Sequence, residues 1–264
     1  MIALRDAAIG IEGRTLIAPA TATIATGRFV AILGANGVGK TTLLRVLAGA
    51  LRPVAGTVRI DDLDPAAAGP LERAHRIAFV TSDDAPVDGL SARDVVASGR
   101  YPFHRWWEWS EDAADTAAVE GALAAVGMAG FSGRGFETLS SGERQRVWIA
   151  LALAQEAPVL LLDEPTSHLD VRVAHEILAL LRAQAKAGRT IVCAMHDIND
   201  AATYADALML LGDRAMLAFD APERVFTAAL LERAYGIPME IVRAASGAPR
   251  AFAIGNASGA DPGS

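Results

Sequence analysis

The chain contains a single cysteine among its 264 residues, and aromatic residues make up only 6%. One cysteine excludes an internal disulfide, which is consistent with a reducing compartment. Cys193 lies in the apolar segment Thr190–Ala194, so we predict a buried side chain rather than a reactive thiol. Hydrophobic residues nevertheless reach 52%, and with so few aromatics they must be mostly alanine and aliphatic side chains, as in layered α/β folds.

Long apolar runs are also missing. The longest uninterrupted ones, such as 147–154 and 159–162, fall far short of the roughly 18 residues that a membrane-spanning helix needs. The first residues show no basic region followed by an apolar stretch, so we expect no secretory signal.

An excess of basic residues is the third absence. The net charge is −7, and lysine and arginine form no run along the chain. Nucleic-acid binding needs a basic surface that neutralises phosphates, so the composition predicts no nucleic-acid partner.

Short apolar segments alternate with helical patterns. Five segments predict buried strands: Phe29–Leu33, Ile77–Val80, Val159–Leu162, Thr190–Ala194 and Leu208–Leu211. Their hydrophobicity is continuous rather than alternating, which favours a sheet covered on both faces by helices. Helical patterns at 42–50, 143–155 and 173–186 lie between them. The alternation predicts an α/β architecture with a parallel sheet.

Three regions depart from this alternation. The part up to about residue 62, outside the glycine-rich segment, is rich in strand patterns. Residues 91–138 are alanine-rich and predict helices at 93–98 and 112–126, which we interpret as a helical insertion. The composition after residue 244 allows a short hairpin around 246–249 and predicts disorder for the last residues.

The first candidate functional segment is glycine-rich. It follows the predicted strand ending at Leu33, opens into a helix, and has the form G-x-x-x-x-G-K-[ST]. Glycines let backbone N–H groups turn towards a phosphate, and the helix N-terminus adds its positive dipole. Lys40 would reach the β- and γ-phosphates, and Thr41 would ligate Mg²⁺. The alternative is a strand–helix turn without a ligand. The candidate binding residues are Gly34, Ala35, Asn36, Gly37, Val38, Gly39, Lys40, Thr41 and Thr42.

The second candidate segment is a pair of acids after the apolar strand 159–162. We predict that Asp163 holds Mg²⁺, usually through water, and that Glu164 orients and polarises the attacking water. Because neighbouring strand residues point to opposite sides, each acid can fill only one role. The alternative is an acidic turn.

The third candidate segment precedes an amphipathic helix. Ser140 and Glu143 have the spacing of a helix capping box, with Gly142 between them. A capped helix N-terminus also attracts anions, so capping and phosphate binding are compatible here.

Together these segments resemble the nucleotide-binding domain of ATP-binding-cassette (ABC) proteins over nearly the whole chain. In this resemblance Walker A is 34–41, the signature 139–143, Walker B 159–164, the D-loop 167–170, and His196 is the switch histidine. It implies a P-loop NTPase (RecA-like) α/β fold, with a parallel-sheet core, an N-terminal antiparallel β subdomain and an inserted α-helical subdomain.

The resemblance also implies domain bounds, cofactors and an assembly. The nucleotide-binding domain would span 1–244, with the helical subdomain at roughly 88–150 and a partly disordered tail at 245–264. ATP and Mg²⁺ would be the cofactors. A head-to-tail homodimer would hold two ATP molecules between Walker A of one subunit and the signature of the other. His196 would contact the γ-phosphate and hold the catalytic geometry around Glu164.

Three positions depart from the family pattern. Ser82 stands where a glutamine usually touches Mg²⁺; an added water, Asp83 or Asp84 would take its place. Ile11 replaces the aromatic residue that usually stacks on adenine, which predicts weaker ATP affinity and poorer discrimination against GTP. Ser141 replaces a glycine; we interpret this as tolerated, although a left-handed backbone there would cost a non-glycine residue energy.

Segments 93–102, 139–147 and 196–201 resemble the subfamily that imports ferric siderophores, haem and cobalamin. This implies a two-copy transmembrane permease, a periplasmic or extracellular substrate-binding protein that acts indirectly, and a peripheral position on the cytoplasmic face of the membrane. Trp106, Trp107 and Trp109 either pack within the insertion or face the permease. The alternatives are an importer of molybdate or a metal ion, an exporter subunit, a non-transport ABC ATPase, and a cassette that binds ATP with little hydrolysis.

Overall fold

The structure, a computed structural model, describes residues 1–81, 87–104, 111–167, 169–244 and 247–254. The strands are β1 (Ile2–Ile11), β2 (Arg14–Ile24), β3 (Phe29–Leu33), β4 (Ala55–Ile60), β5 (Ile77–Val80), β6 (Val159–Asp163), β7 (Thr190–Ala194), β8 (Ala207–Gly212), β9 (Ala215–Asp220), β10 (Met239–Arg243) and β11 (Pro249–Ala253). The α-helices are α1 (Lys40–Leu47), α2 (Pro70–Ala74), α3 (Ala92–Ala97), α4 (Ala113–Ala125), α5 (Ser141–Ala154), α6 (Val171–Lys186), α7 (Ile198–Tyr204), α8 (Pro222–Val225) and α9 (Ala228–Tyr235).

The central sheet has six strands in the order β5-β6-β7-β3-β8-β9. All neighbouring pairs are parallel except β8 and β9. Strands β3, β6 and β7 are buried along their whole length, which explains their continuous hydrophobicity. The five predicted strands are therefore confirmed. The sequence did not reveal β9, an edge strand that is half-buried at every position and shows no alternation.

A second, three-stranded sheet has the antiparallel order β2-β1-β4 and confirms the strand-rich N-terminal region. Its buried side chains form one core with the apolar face of α1 and one face of the central sheet. This sheet therefore supports the helix that follows the glycine-rich loop. The members of that core include Ile2, Leu4, Ile9, Ile24, Ile60, Leu43, Leu44 and Leu47.

The alanine-rich insertion is helical, as predicted. Capping boxes begin α3 at Ser91 and α4 at Asp112, and both helices pack with α5 against the other face of the central sheet. Trp106, Trp107 and Trp109 lie outside the described residues, so both interpretations of them stay open. The proposed domain bounds stay predictions as well.

A hairpin closes the described part of the chain. Strands β10 and β11 pair antiparallel from Met239–Ala253 to Arg243–Pro249, so the hairpin suggested by the composition is present. The segment after residue 244 is thus not only a tail, because β11 belongs to the fold. Residues 245, 246 and 255–264 lie outside the described residues, and the predicted disorder of the terminus stays a prediction. No helix in the described ranges is long and apolar enough to cross a membrane.

A buried ion pair lies within the helical insertion, and its arginine also bonds to the end of α5. Arg100, 7% exposed, donates from Nε to Asp115 at 2.9 Å and from Nη1 to the Ala154 carbonyl at 2.7 Å. His104 Nε2 lies 2.8 Å from the other Asp115 oxygen. Burial alone raises the pKa of Asp115, but the Arg100 hydrogen bond and the other donors outweigh it, and the pKa is lowered. Asp115 therefore stays ionised and neutralises a buried guanidinium.

We expect Asp115→Ala to lower the free energy of unfolding by about 3–5 kcal/mol, since it leaves the Arg100 charge buried and half-paired. Urea unfolding measures the change. The matched control is Glu156→Ala, which removes the second carboxylate that pairs with Arg100, at 2.7 Å from Nη1 and 54% exposed. It should cost at most about 1 kcal/mol. Equal losses for both variants would contradict this account.

Candidate active site

The glycine-rich loop turns sharply between β3 and α1. Gly34, Gly37 and Gly39 have φ values of 146°, 76° and 112°, in the region that side chains disfavour. A Cβ at Gly34 would lie 2.5 Å from the Leu211 carbonyl oxygen, so no other residue fits there. The loop ends at the N-terminus of α1, where free backbone N–H groups and the helix dipole favour an anion.

Lys40 is held inside this loop. Its side chain is nearly buried, and Nζ donates to the Gly34 carbonyl at 2.9 Å and to the Ala35 carbonyl at 3.4 Å. Burial lowers the pKa of Lys40, while the carboxylates of Glu164 and Asp163 act in the opposite direction. The ammonium group is thus placed between the loop and the two acids predicted to act with it.

Asp163 ends β6 beneath the loop and is 1% exposed. Burial raises its pKa, and a hydrogen bond with the Thr41 side chain partly compensates. Its Oδ1 is buried without a hydrogen-bond partner. A buried, unpartnered carboxylate oxygen beside a threonine hydroxyl fits Mg²⁺, which takes oxygen ligands from one or two carboxylates and from phosphates. Asp163 and Thr41 therefore have the chemistry predicted for a metal site.

Glu164 and His196 meet at the mouth of the same site. His196 Nε2 lies 2.6 Å from Glu164 Oε1, and both side chains are partly exposed, at 48% and 23%. Glu164 has a φ of 53°, which is unusual for a non-glycine residue. Asp163 is buried whereas Glu164 is partly exposed at the cavity, so the two adjacent acids have different surroundings, as their separate predicted roles require.

Part of the loop lines one cavity of about 330 Å³ together with Glu164 and His196. Its lining residues are Leu16, Asn36, Gly37, Gly39, Lys40, Thr41, Thr42, Glu164 and His196. The structure therefore brings together most of the predicted Walker A residues, the glutamate predicted to be catalytic and the predicted switch histidine. Leu16 was not predicted, because a leucine in β2 carries no sequence signal that separates it from a core residue. Gly34, Ala35 and Val38 belong to the loop but are not among the residues that line this cavity.

The predicted signature residues lie elsewhere. The Ser140 side chain accepts from the Glu143 N–H at 3.3 Å, and Glu143 accepts from the Ser140 N–H at 2.8 Å, which confirms the capping box. Ser140, Gly142 and Glu143 line a different cavity, of about 550 Å³. Ser141 is the first residue of α5 and is not among the described residues with positive φ, so no strain arises there.

Of the other residues singled out by the resemblance, the structure describes Ile11 but not those near Ser82 or His168. Ser82, Asp83, Asp84 and His168 of the D-loop lie outside the described residues, and their proposed roles stay predictions. Ile11 is the last residue of β1 and is 41% exposed.

A parallel sheet with a phosphate-binding loop, a buried acid and a glutamate at its carboxyl edge defines a P-loop nucleoside triphosphatase. The ABC transporter family description matches residues 17–167. The chain belongs to the ABC transporter family, as an ATP-binding subunit with ATPase activity.

Relatives extend this match over most of the chain. A ferric enterobactin transport ATP-binding protein of Escherichia coli is 36% identical over 89% of this chain and 86% of its own. A hemin import ATP-binding protein of Nocardia farcinica is 39% identical, with 83% and 75% covered. A cobalamin import ATP-binding protein of Halobacterium salinarum is also 39% identical, with 86% and 56% covered.

Solved structures agree on the fold. An inward-facing ABC transporter of metal-chelate type has a TM-score of 0.82 at 24% identity and covers 96% of this chain and 97% of its own. A dimeric ATP-binding cassette with ADP and Pi, in a post-hydrolysis state, has a TM-score of 0.73 at 25% identity, with 84% and 98% covered. The α/β fold class is therefore confirmed.

We expect Asp163→Asn to raise thermal stability without nucleotide and to abolish the extra stabilisation by MgATP over ATP alone. Removing a charge that burial disfavours should stabilise the fold by about 1 kcal/mol. Thermal denaturation with EDTA, ATP and MgATP measures both effects. A variant that keeps the full Mg²⁺-dependent increase in Tm would exclude Asp163 from the metal site.

We expect Ile11→Tyr to tighten ATP binding and to increase the preference for ATP over GTP, because a ring can stack on the base. Stacking on an aromatic side chain is worth about 1–3 kcal/mol per base. Calorimetric titration with both nucleotides at equal salt measures the change. Ile11→Leu is the control, since it keeps the apolar surface without a ring. If the native protein already strongly prefers ATP, the prediction is wrong.

Proposed function

We propose that this chain hydrolyses ATP to drive a membrane importer for a ferric siderophore, haem or cobalamin. The observation that carries the proposal is the convergence of Lys40, Asp163, Glu164 and His196 at one edge of the sheet. The cargo assignment rests on relatives whose names give ferric enterobactin, hemin and cobalamin as what they transport. The subunit itself has no role in binding the cargo.

Each residue has a distinct part in the proposed reaction. The loop N–H groups and Lys40 bind the β- and γ-phosphates, which positions the triphosphate and spreads its charge. Glu164 accepts a hydrogen bond from water and orients it towards the γ-phosphorus. His196 holds the Glu164 carboxylate and reaches the γ-phosphate. Mg²⁺, held by Thr41 and Asp163, would neutralise negative charge on the phosphate oxygens.

The active form would be a homodimer. The cavity at Lys40 and the cavity at Ser140 are separate, so among the described residues no signature residue reaches the phosphate loop of its own chain. A second copy, placed head to tail, would bring its α5 N-terminus to this phosphate site. One dimeric ATP-binding cassette is among the similar solved structures, which supports this arrangement.

Transport requires partners that cross the membrane. We infer transmembrane permease subunits that bind this chain on the cytoplasmic face, and a periplasmic or extracellular substrate-binding protein that meets only the permease. The described helices are too short or too polar to cross a bilayer, so the chain would reach the membrane through the permease.

We expect Glu164→Gln to reduce ATP turnover at least about 100-fold while ATP still binds, because the amide cannot accept the proton of the attacking water. Phosphate release by the complex with its permease, alongside nucleotide binding, measures the two effects separately. The matched control is Glu232→Gln on the exposed side of α9, which should keep full turnover.

Two results would reject the proposal. Turnover that survives in Glu164→Gln would exclude the glutamate mechanism. A native complex that hydrolyses ATP but takes up no iron complex, haem or cobalamin into vesicles would exclude the cargo assignment.

A further inference from the structure

The helix α7 begins immediately after the predicted catalytic histidine. Asp197 is its N-cap, and Asp197 Oδ1 accepts hydrogen bonds from the N–H groups of Asn199 and Asp200, both at 2.8 Å. His196 is bonded covalently to this cap, and its ring is nearly half exposed. Because the ring is only partly packed against other side chains, its orientation depends on the positions of the cap and of the first turn of α7.

Asn199 connects this first turn to the C-terminal hairpin. Its Nδ2 donates to the Ala251 carbonyl at 3.1 Å, and its Oδ1 accepts from the Ala251 N–H at 2.8 Å. The side-chain amide thus pairs with β11 as a strand residue would. A two-point contact of this kind fixes both distance and orientation, whereas a single hydrogen bond permits rotation.

The hairpin is itself well anchored. Met239 and Ala251 are 8% and 4% exposed, and they belong to the same core as Ala201 and Ala202 of α7. The opposite end of α7 is attached to α6, where His175 Nδ1 lies 2.9 Å from the Tyr204 hydroxyl oxygen.

We propose that Asn199 is a positioning residue for His196, and that the hairpin β10–β11 holds the histidine in register with Glu164 through it. The path runs from the Ala251 backbone through the Asn199 amide to the Asp197 cap and then to His196. This inference rests on the proposed function, because it requires His196 to act on the triphosphate. Asn199 itself does not line the cavity at Lys40.

The test measures steady-state ATP turnover in the complex with the permease. Asn199→Ala removes both hydrogen bonds and should lower kcat roughly tenfold with KM for ATP unchanged, since small displacements of a reacting group cost up to about 100-fold. Asn199→Asp keeps the acceptor for the Ala251 N–H and loses the donor, so it should fall between Asn199→Ala and the native protein.

The control is Thr203→Val. Thr203 donates to the Asn199 carbonyl at 2.7 Å on the exposed side of α7, so the variant weakens the helix without touching the hairpin contact. Its kcat should match that of the native protein. Thermal denaturation of all variants separates loss of the folded state from loss of rate. If Asn199→Ala does not fold, Asn199→Asp, which keeps one of the two hydrogen bonds, serves as the test variant.

A double-mutant cycle with His196→Ala distinguishes positioning from a general structural effect. Asn199→Ala should add no further loss to the single-turnover rate of His196→Ala, because the group that it positions is gone. Additive losses, a raised KM with unchanged kcat, or a kcat equal to that of Thr203→Val would each overturn the inference. If Glu164→Gln and His196→Ala themselves keep full turnover, the proposed function fails instead.

Discussion

The site depends on three neighbouring parallel strands that end level with one another. In the sheet β3 lies beside β7, which lies beside β6, and Ala194 of β7 pairs with Ile32 on one side and Asp163 on the other. The ladder continues one step beyond the strands, since the Met195 N–H donates to the Ile32 carbonyl and the Glu164 N–H to the Ala194 carbonyl. Three segments that are far apart in sequence therefore leave the sheet at one edge: the phosphate loop, the acid pair and the histidine. Ligands bind at this edge in such folds.

Burial of these strands also determines the electrostatics. Lys40 and Asp163 are buried at the carboxyl edge of the covered sheet, and burial shifts both pKa values towards the neutral form. Such buried charges destabilise the protein when no ligand is bound. In a low-dielectric site, however, they interact strongly with a phosphate or a metal ion. The strained φ of Glu164 is a further local cost that places a carboxylate at the site's mouth.

Much of this could be predicted because motifs and buried strands carry strong local signals. Phe29–Leu33, Ile77–Val80 and Thr190–Ala194 match the observed strands residue for residue, since no polar residue interrupts them. Strand β9 was missed because every residue of this edge strand is half-buried, so its hydrophobic and polar residues do not alternate. The partner of Asn199 was hidden for another reason. The composition suggested the hairpin, but an asparagine side chain that pairs with a strand fifty-two positions later has no local sequence pattern. Leu16 became a site residue only through the cavity that it lines.

The four central side chains divide into two kinds, and the division separates binding from hydrolysis. Lys40 and Asp163 are buried and held by the loop and the sheet, so the groups proposed to bind the triphosphate and Mg²⁺ are fixed within one chain. Glu164 and His196 are partly exposed and held mainly by their mutual contact and by the turns that carry them. Exposed groups on turns can shift by small distances that buried groups in a close-packed sheet cannot. Catalysis requires closer alignment than binding does. In the proposed function, hydrolysis is therefore the step that the second subunit, or the hairpin contact behind His196, would control without changing how the nucleotide is bound.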